Sequence, residues 1–287
     1  MSLIQLIIIS LVQGVTEWLP ISSSGHVLLA AGYFGLEGRD ELLINAMAHL
    51  GTLFAVLAYF WRDILRAFWG GLELIGIGRE AGNALSGEAR LALFILAATP
   101  IAVIAGIFHE AFLPAAWQGW MRSVWTVAGA TILFGLALWW ADMRGGLTRR
   151  EEDMTMTHAL LIGATQAIAA LIPGTSRSGI TMTAARALGY ERTEAARFSM
   201  LIGAPLLAAA GGYALVQLAT AAPAPGAVAT LSDGLIVAIL SFLSGFASIW
   251  ALMALLKRMS FLPFVIYRLV LGLVLILASP AALSIFR

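Results

Sequence analysis

The chain has no cysteine in its 287 residues, which excludes a disulfide frame, thiolate metal sites and cysteine-based phosphatase chemistry. Charge is scarce too: Asp, Glu, Lys and Arg together make 11% of the sequence, and Lys257 is the sole lysine. A net charge of +1 leaves neither a basic footprint for nucleic acid nor an acidic tail, so no nucleic-acid partner is expected. What remains is apolar. At 60% hydrophobic residues and a mean hydropathy of +0.91, a soluble domain could not hide its apolar surface, and the chain reads as an all-α polytopic membrane protein. The start, Met1-Ser-Leu-Ile-Gln5, lacks a positive n-region and an Ala-x-Ala pattern, so no cleaved signal peptide is expected.

Two stretches break the apolar background. Gln13-Gly-Val-Thr-Glu17-Trp-Leu-Pro20-Ile-Ser22-Ser23-Ser24-Gly25-His26 puts a carboxylate, hydroxyls and an imidazole where hydrocarbon is expected, and polar groups at that depth are costly enough to imply a task. Gln166 to Thr181 echoes it: at one offset Gln13 falls on Gln166, Pro20 on Pro173 and Ser23 on Ser176, and one added residue then pairs Gly25 with Gly179. The echo extends to Gly35 and Glu37 against Gly189 and Glu191.

The halves divide as 1–150 and 151–287. The first is expected to hold a re-entrant hairpin over 2–34 and spans near 44–61, 91–108 and 123–141. The second repeats the order, with a hairpin over 156–188 and spans near 197–217, 234–256 and 262–279. Residues 62–88 read as a charged connection and Asp142 to Asp153 as an aqueous one. Short apolar runs cannot span a bilayer, and irregular backbone at depth is tolerated where it lines a cavity or is buried in protein. An odd number of crossings inverts one half against the other and brings the hairpin tips together near the midplane. Basic residues gather at one set of span ends, among them Arg62, Arg66, Arg90, Arg144, Arg149, Arg150, Lys257 and Arg258, against Arg39, Arg122 and Arg287 on the other. That asymmetry puts the first set in the cytoplasm and both termini outside.

Glu17 is the carboxylate set most clearly in apolar sequence, with Gln13 one helical turn earlier. Ser22, Ser23 and Ser24 precede a helix start, where hydroxyls cap free amides, while Ser23 near His26 forms a conceivable nucleophile and base. In the second loop Gly174, Thr175, Ser176, Arg177, Ser178, Gly179 and Thr181 combine turn glycines, hydroxyls and a guanidinium at another helix start. Such a turn suits anionic oxygens, which Arg177 can bind as a fork. The plainer alternative is a salt bridge from Arg177 to Glu17 that only locks the hairpins; the convergence of two helix N-termini and several hydroxyls exceeds what locking needs. Arg186 reads as facing the cavity or snorkelling, Arg268 as snorkelling, His49 as interfacial, and Trp61, Trp69, Trp139 and Trp140 as interface belts.

At these loops the sequence resembles the undecaprenyl pyrophosphate phosphatase family, also called the bacitracin resistance protein family, over essentially its full length. Its first motif is matched by Gln13 and Glu17, continuing into Pro20, Ser22, Ser23, Gly25 and His26. Its second, Pro-Gly-x-Ser-Arg-Ser with a downstream Thr, is Pro173, Gly174, Ser176, Arg177, Ser178 and Thr181. The resemblance implies hydrolysis of undecaprenyl pyrophosphate on the outer face of the bacterial cytoplasmic membrane, recycling the lipid carrier for cell-wall synthesis. It implies a divalent metal as well, Mg²⁺ or else Ca²⁺, on Glu17. Catalysis is then expected of Glu17, Ser23, His26 and Arg177, with the nucleophile left open among Ser23, His26 and water. Substrate binding is expected of Gln13, Ser22, Ser24, Gly25, Gly174, Thr175, Ser176, Ser178 and Thr181. The lipid bilayer is the surrounding partner, and a homodimer is compatible with the reading.

Gln13 is the neutral form of the motif's first position, so Glu17 carries more of the metal's charge, and His49 stands where relatives lead one to expect glutamine. The Lys-x6-Arg-Pro motif of acid-phosphatase-type lipid phosphatases and the Asp-x-Asp-x-Thr of aspartate-based phosphatases are both absent. The rival class is a transporter or flippase of polyprenyl phosphate, since inverted repeats with broken helices are also carrier architecture.

Overall fold

The structure, a computed structural model, describes residues 1–23, 26, 34, 38–78, 84–144, 148–220 and 228–277. Ser24, Gly25, Gly35, Glu37, Arg79 and Arg287 lie outside the described residues. The described chain is helical, its one bridge joining Arg149 to Tyr190. The helices are α1 (Leu3–Trp18), α2 (Gly38–Tyr59), α3 (Trp61–Leu74), α4 (Gly87–Ala98), α5 (Pro100–Phe112), α6 (Ala115–Met121), α7 (Val124–Met143), α8 (Met156–Leu171), α9 (Arg177–Ala187), α10 (Arg192–Thr220), α11 (Leu231–Leu256) and α12 (Leu262–Leu277).

Among the described residues five segments are long and apolar enough to cross a membrane: Gly38–Tyr59, Gly87–Phe112, Val124–Met143, Arg192–Thr220 and Leu231–Leu256. The sixth expected span is described over Leu262–Leu277, 16 residues, and falls among the shorter apolar helices. Proline sets the breaks around the loops. The residue before a proline is pushed out of the helical region, and α1 accordingly ends into an extended Leu19 before Pro20, as α8 ends into an extended Ile172 before Pro173. Pro100 divides α4 from α5 differently, since Thr99 before it keeps a helical backbone and the ladder is interrupted only where the proline has no amide hydrogen to give.

Apolar surface gives helices no reason to associate in lipid, so close approach through small residues carries the packing. Gly14 lets α1 lie against Ser244 and Gly245 of α11, where any side chain would collide. Gly163 does the same for α8, since a Cβ there would stand 2.5 Å from Ala98. Thus α1 packs on α11, whereas α8 packs on α4 and α5. Helix α2 is pressed between α10 and α11, α7 lies along α12, and α9 is held by α7, α8 and α10. A core of Trp18, Leu138, Met182, Met200, Ile249 and Phe261 joins both halves beneath the two loops.

Three expectations need correction. Residues 62–74, expected as part of a connection, belong to α3, which packs on α4 and leaves Trp61, Leu65, Phe68 and Trp69 exposed. Counting charges there hid an amphipathic period, the pattern of an interfacial helix. Asp142 is not aqueous: it is buried and binds Arg186 at 2.8 Å, Arg192 at 2.9 Å and the Phe261 amide at 3.0 Å. Arg186 therefore neither snorkels nor faces the cavity, because its charge is spent on Asp142.

Candidate active site

Helix α1 delivers Gln13 and Glu17 one turn apart on the same buried face. Four residues apart is the spacing at which helical side chains meet, and Gln13 Nε2 donates to Glu17 Oε2 at 3.1 Å. Both oxygens of Glu17 are then claimed by the two loops. Ser23 Oγ donates to Oε2 at 2.7 Å, and Arg177 Nη2 donates to Oε1 at 3.0 Å. Glu17 is buried and the Arg177 side chain is only 12% exposed, so the pair's charges see little solvent screening.

Arg177 is fixed from three directions. Its guanidinium lies over the ring of Trp18, 4.8 Å from the centroid, and Nη2 holds Glu17. Nη1 is buried with no hydrogen-bond partner and occupies the space left by the absent side chain of Gly203 on α10. An unmet donor on a buried cation is expensive, which marks Nη1 as a place for an anionic oxygen.

The loops correspond one residue earlier than the sequence echo suggests. Ser22 has φ 76° and Ser176 has φ 68°, a left-handed conformation taken by no other non-glycine residue among those described. Aligned on that turn, the extra residue falls between Pro173 and Ser176, beside Gly174 at φ 90°. Ser23 then matches Arg177 rather than Ser176. The hydroxyl and the guanidinium that grip Glu17 come from equivalent places in the two loops.

The other expected residues divide. Ser176 Oγ caps α9 by accepting from the Gly179 amide at 3.1 Å. Thr175 Oγ1 donates to the Ile172 carbonyl, Ser178 Oγ to the Leu19 carbonyl at 3.0 Å, and Thr181 Oγ1 pairs with Ser199 Oγ at 2.6 Å. These hydroxyls build and brace the second loop. His26 sits away from the Ser23 hydroxyl's bond: its Nδ1 meets the Ser22 carbonyl at 2.6 Å and its Nε2 the Tyr267 hydroxyl at 2.5 Å, with the two rings stacked. Ser23 is thus hydrogen-bonded to Glu17 where the sequence reading paired it with His26.

Arg268 corrects the sequence reading outright. It does not snorkel but is fully buried, donating to the carbonyls of Pro20 at 3.3 Å, Gly174 at 3.1 Å, Thr175 at 2.9 Å and Thr131 at 3.0 Å. One guanidinium on α12 therefore ties both loops together. His49 is not merely interfacial either, since its Nδ1 lies 2.5 Å from Gln13 Nε2. A half-buried polar neighbour of Gln13 could have been sought by its position on the next helix; nothing local in sequence marks Arg268 or Gly203.

A family model for the bacitracin resistance protein BacA matches residues 6–274. The chain belongs to this family. Among curated BacA-type relatives, the undecaprenyl-diphosphatase of Hyphomonas neptunium is 60% identical over 280 residues, covering 98% of each chain. That of Maricaulis maris is 48% identical over 96% of this chain and 98% of its own. The one from Jannaschia is 42% identical over 98% of this chain and all of its own.

Proposed function

We propose that this protein hydrolyses undecaprenyl pyrophosphate to undecaprenyl phosphate and inorganic phosphate, the activity named for its relatives. The observation that carries the reading is the carboxylate of Glu17 held between the Ser23 hydroxyl and the Arg177 guanidinium. A hydroxyl beside a proton acceptor, next to a cation with a buried unmet donor, is what phosphoryl transfer asks of a protein: an activated nucleophile and preplaced positive charge.

In this mechanism Ser23 Oγ attacks the terminal phosphorus and its proton passes along the 2.7 Å hydrogen bond to Glu17. The bond from that phosphorus to the bridging oxygen breaks, and undecaprenyl phosphate leaves with the electron pair. Water then attacks the phosphoserine, Glu17 returns its proton to Ser23 Oγ, and inorganic phosphate departs. Arg177, steadied on Trp18, offers Nη1 to a phosphoryl oxygen throughout. His26, hydrogen-bonded to Tyr267, orients the entrance side of the first loop.

Among the described residues no cluster of three or more His, Asp or Glu side chains could hold a metal on protein ligands alone. The residues nevertheless fit Mg²⁺, which binds through one or two carboxylates plus substrate phosphates. Glu17 supplies the carboxylate, and Gln13 Oε1 is a buried oxygen with no partner beside it. When bound, the ion neutralises charge on the diphosphate.

The proposed frame is an inverted repeat with one re-entrant hairpin in each half, in the bacterial inner membrane. The second hairpin is supported by length: at ~1.5 Å per residue α8 reaches about 24 Å and α9 about 16 Å, each short of a hydrocarbon core of roughly 30 Å. The shared left-handed serines support the repeat. Both termini and the site's opening are assigned to the outer face by the charge asymmetry.

The test is phosphate release from a C55 or C15 prenyl pyrophosphate by purified protein in detergent, with and without Mg²⁺. Release that needs the ion and vanishes in Glu17→Ala and Arg177→Ala is expected. A folded wild type that releases nothing in detergent yet moves polyprenyl phosphate across sealed vesicles would make it a carrier.

A further inference from the structure

A glutamine amide has two orientations of nearly equal shape, so its neighbours must choose which end faces where. Gln13 is buried, and both of its neighbours accept rather than donate. Glu17 Oε2 lies 3.1 Å from Nε2, and His49 Nδ1 lies 2.5 Å from the same nitrogen. An amide nitrogen has two hydrogens, one for each. With both spent, Oε1 is turned the other way, buried and without a hydrogen-bond partner.

His49 makes that choice decisive. Glu17 alone would prefer the amide nitrogen, but a single hydrogen bond leaves the side chain free to pivot about it. The ring of His49, on α2, supplies a second acceptor from another helix, so the amide is pinned by α1 and α2 together. Accepting at Nδ1 places the ring proton on Nε2. Helix α2 is itself tight here: the His49 carbonyl accepts from Thr52 Oγ1 at 3.0 Å, and the Thr52 carbonyl accepts from Trp18 Nε1 at 3.1 Å. The imidazole is thereby tied to the helix that carries Glu17.

The counterpart in the second loop shows what is particular to the first. Gln166 also turns its nitrogen to an acceptor, the Ala98 carbonyl at 3.3 Å, and also leaves Oε1 without a partner. At the position matching Glu17, however, the second loop carries Ala170. Only Gln13 has a carboxylate one helical turn on, holding its amide nitrogen.

We infer that His49 is a positioning residue that fixes the Gln13 amide so that its Oε1 faces the phosphate site as a neutral oxygen ligand for the divalent cation. This rests on the phosphatase reading above. It assigns the imidazole a role in this chain that depends on Gln13 being an amide, because a carboxylate at position 13 has no hydrogen to give Nδ1.

The experiment uses full-length protein in detergent and two readouts. One is the Mg²⁺ concentration for half-maximal phosphate release from a C15 prenyl pyrophosphate. The other is Mn²⁺ binding without substrate, followed by electron paramagnetic resonance. His49→Ala is expected to weaken both by about tenfold, as loss of a ligand's outer partner does, with the apparent melting temperature unchanged. His49→Gln, which offers an acceptor oxygen, is expected to restore most of the loss. In a Gln13→Ala background His49→Ala should add nothing further. Unchanged cation dependence in His49→Ala, or a full additional loss in the Gln13→Ala background, would overturn the inference. If wild type releases no phosphate, the phosphatase reading fails instead, and the Mn²⁺ series still decides whether His49 governs the cation.

Discussion

Gly203 and Arg177 share one volume: the space a side chain on Gly203 would fill is taken by Nη1 of Arg177. The guanidinium is a planar fork and cannot slide aside without leaving either Trp18 or Glu17. Gly203→Ala is therefore expected to displace the cation and lower kcat by on the order of a hundredfold, the usual effect of misplacing a reacting group by about 1 Å. Steady-state kinetics on the C15 substrate check this. A variant with normal kcat would mean that Arg177 acts from elsewhere.

Ser23 is the one hydroxyl among those described that donates to the Glu17 carboxylate. Ser23→Ala should lose at least about a hundredfold in turnover, and acid quenching of wild type with terminally labelled substrate should trap a phosphoserine. Near-normal turnover in Ser23→Ala would transfer the attack to water, with Glu17 as its base.

Arg268 meets five carbonyls, those of Pro20, Ala130, Thr131, Gly174 and Thr175, and no carboxylate. Replacing it with methionine removes a donor from each of those carbonyls, of which Gly174 keeps the Thr131 hydroxyl, at about 1–3 kcal/mol for each that finds no other partner. Arg268→Met should lower the apparent melting temperature in detergent and abolish phosphate release. Arg268→Lys, keeping charge without the fork, should fall between. An active, thermally normal Arg268→Met would show the loops to be held by packing alone.

Outside the spans, Glu151 joins Arg66 at 2.7 Å and Arg197 at 2.6 Å. Burial alone would raise its carboxyl, but the hydrogen bond from Arg66 and the charge of Arg197 hold it below the usual carboxylate range. A carboxylate depressed on folding contributes stability above its unfolded value of about 4.3, and that contribution is lost as pH falls through the folded value. Wild type should thus lose melting temperature in acid more steeply than Glu151→Gln, and the two curves should converge at the acid end. Parallel curves from pH 7 down to 3 would remove Glu151 from the balance.

The two loops could be read from sequence because each sets charge and hydroxyls into an apolar run, and Glu17, Ser23 and Arg177 do meet. The helix ends beside them were legible from Pro20 and Pro173. What stayed hidden had no local mark. One arginine in an apolar helix looks the same whether it snorkels or, like Arg268, closes a core. A glycine such as Gly203 is silent until the side chain it accommodates is known. The register between loops was misjudged because matching letters, Ser23 on Ser176, outweighed a backbone turn that composition does not encode.

Because Arg268 lies on the last described helix and its donors end on loops nearly a hundred and nearly two hundred and fifty residues upstream, the ribosome completes the active centre late. Until that helix is inserted, the carbonyls of Pro20, Gly174 and Thr175 lack the one guanidinium that they share. A polypeptide still emerging into the bilayer is in this sense an unarmed precursor, and it acquires hydrolytic power only once α12 has joined the helices made before it.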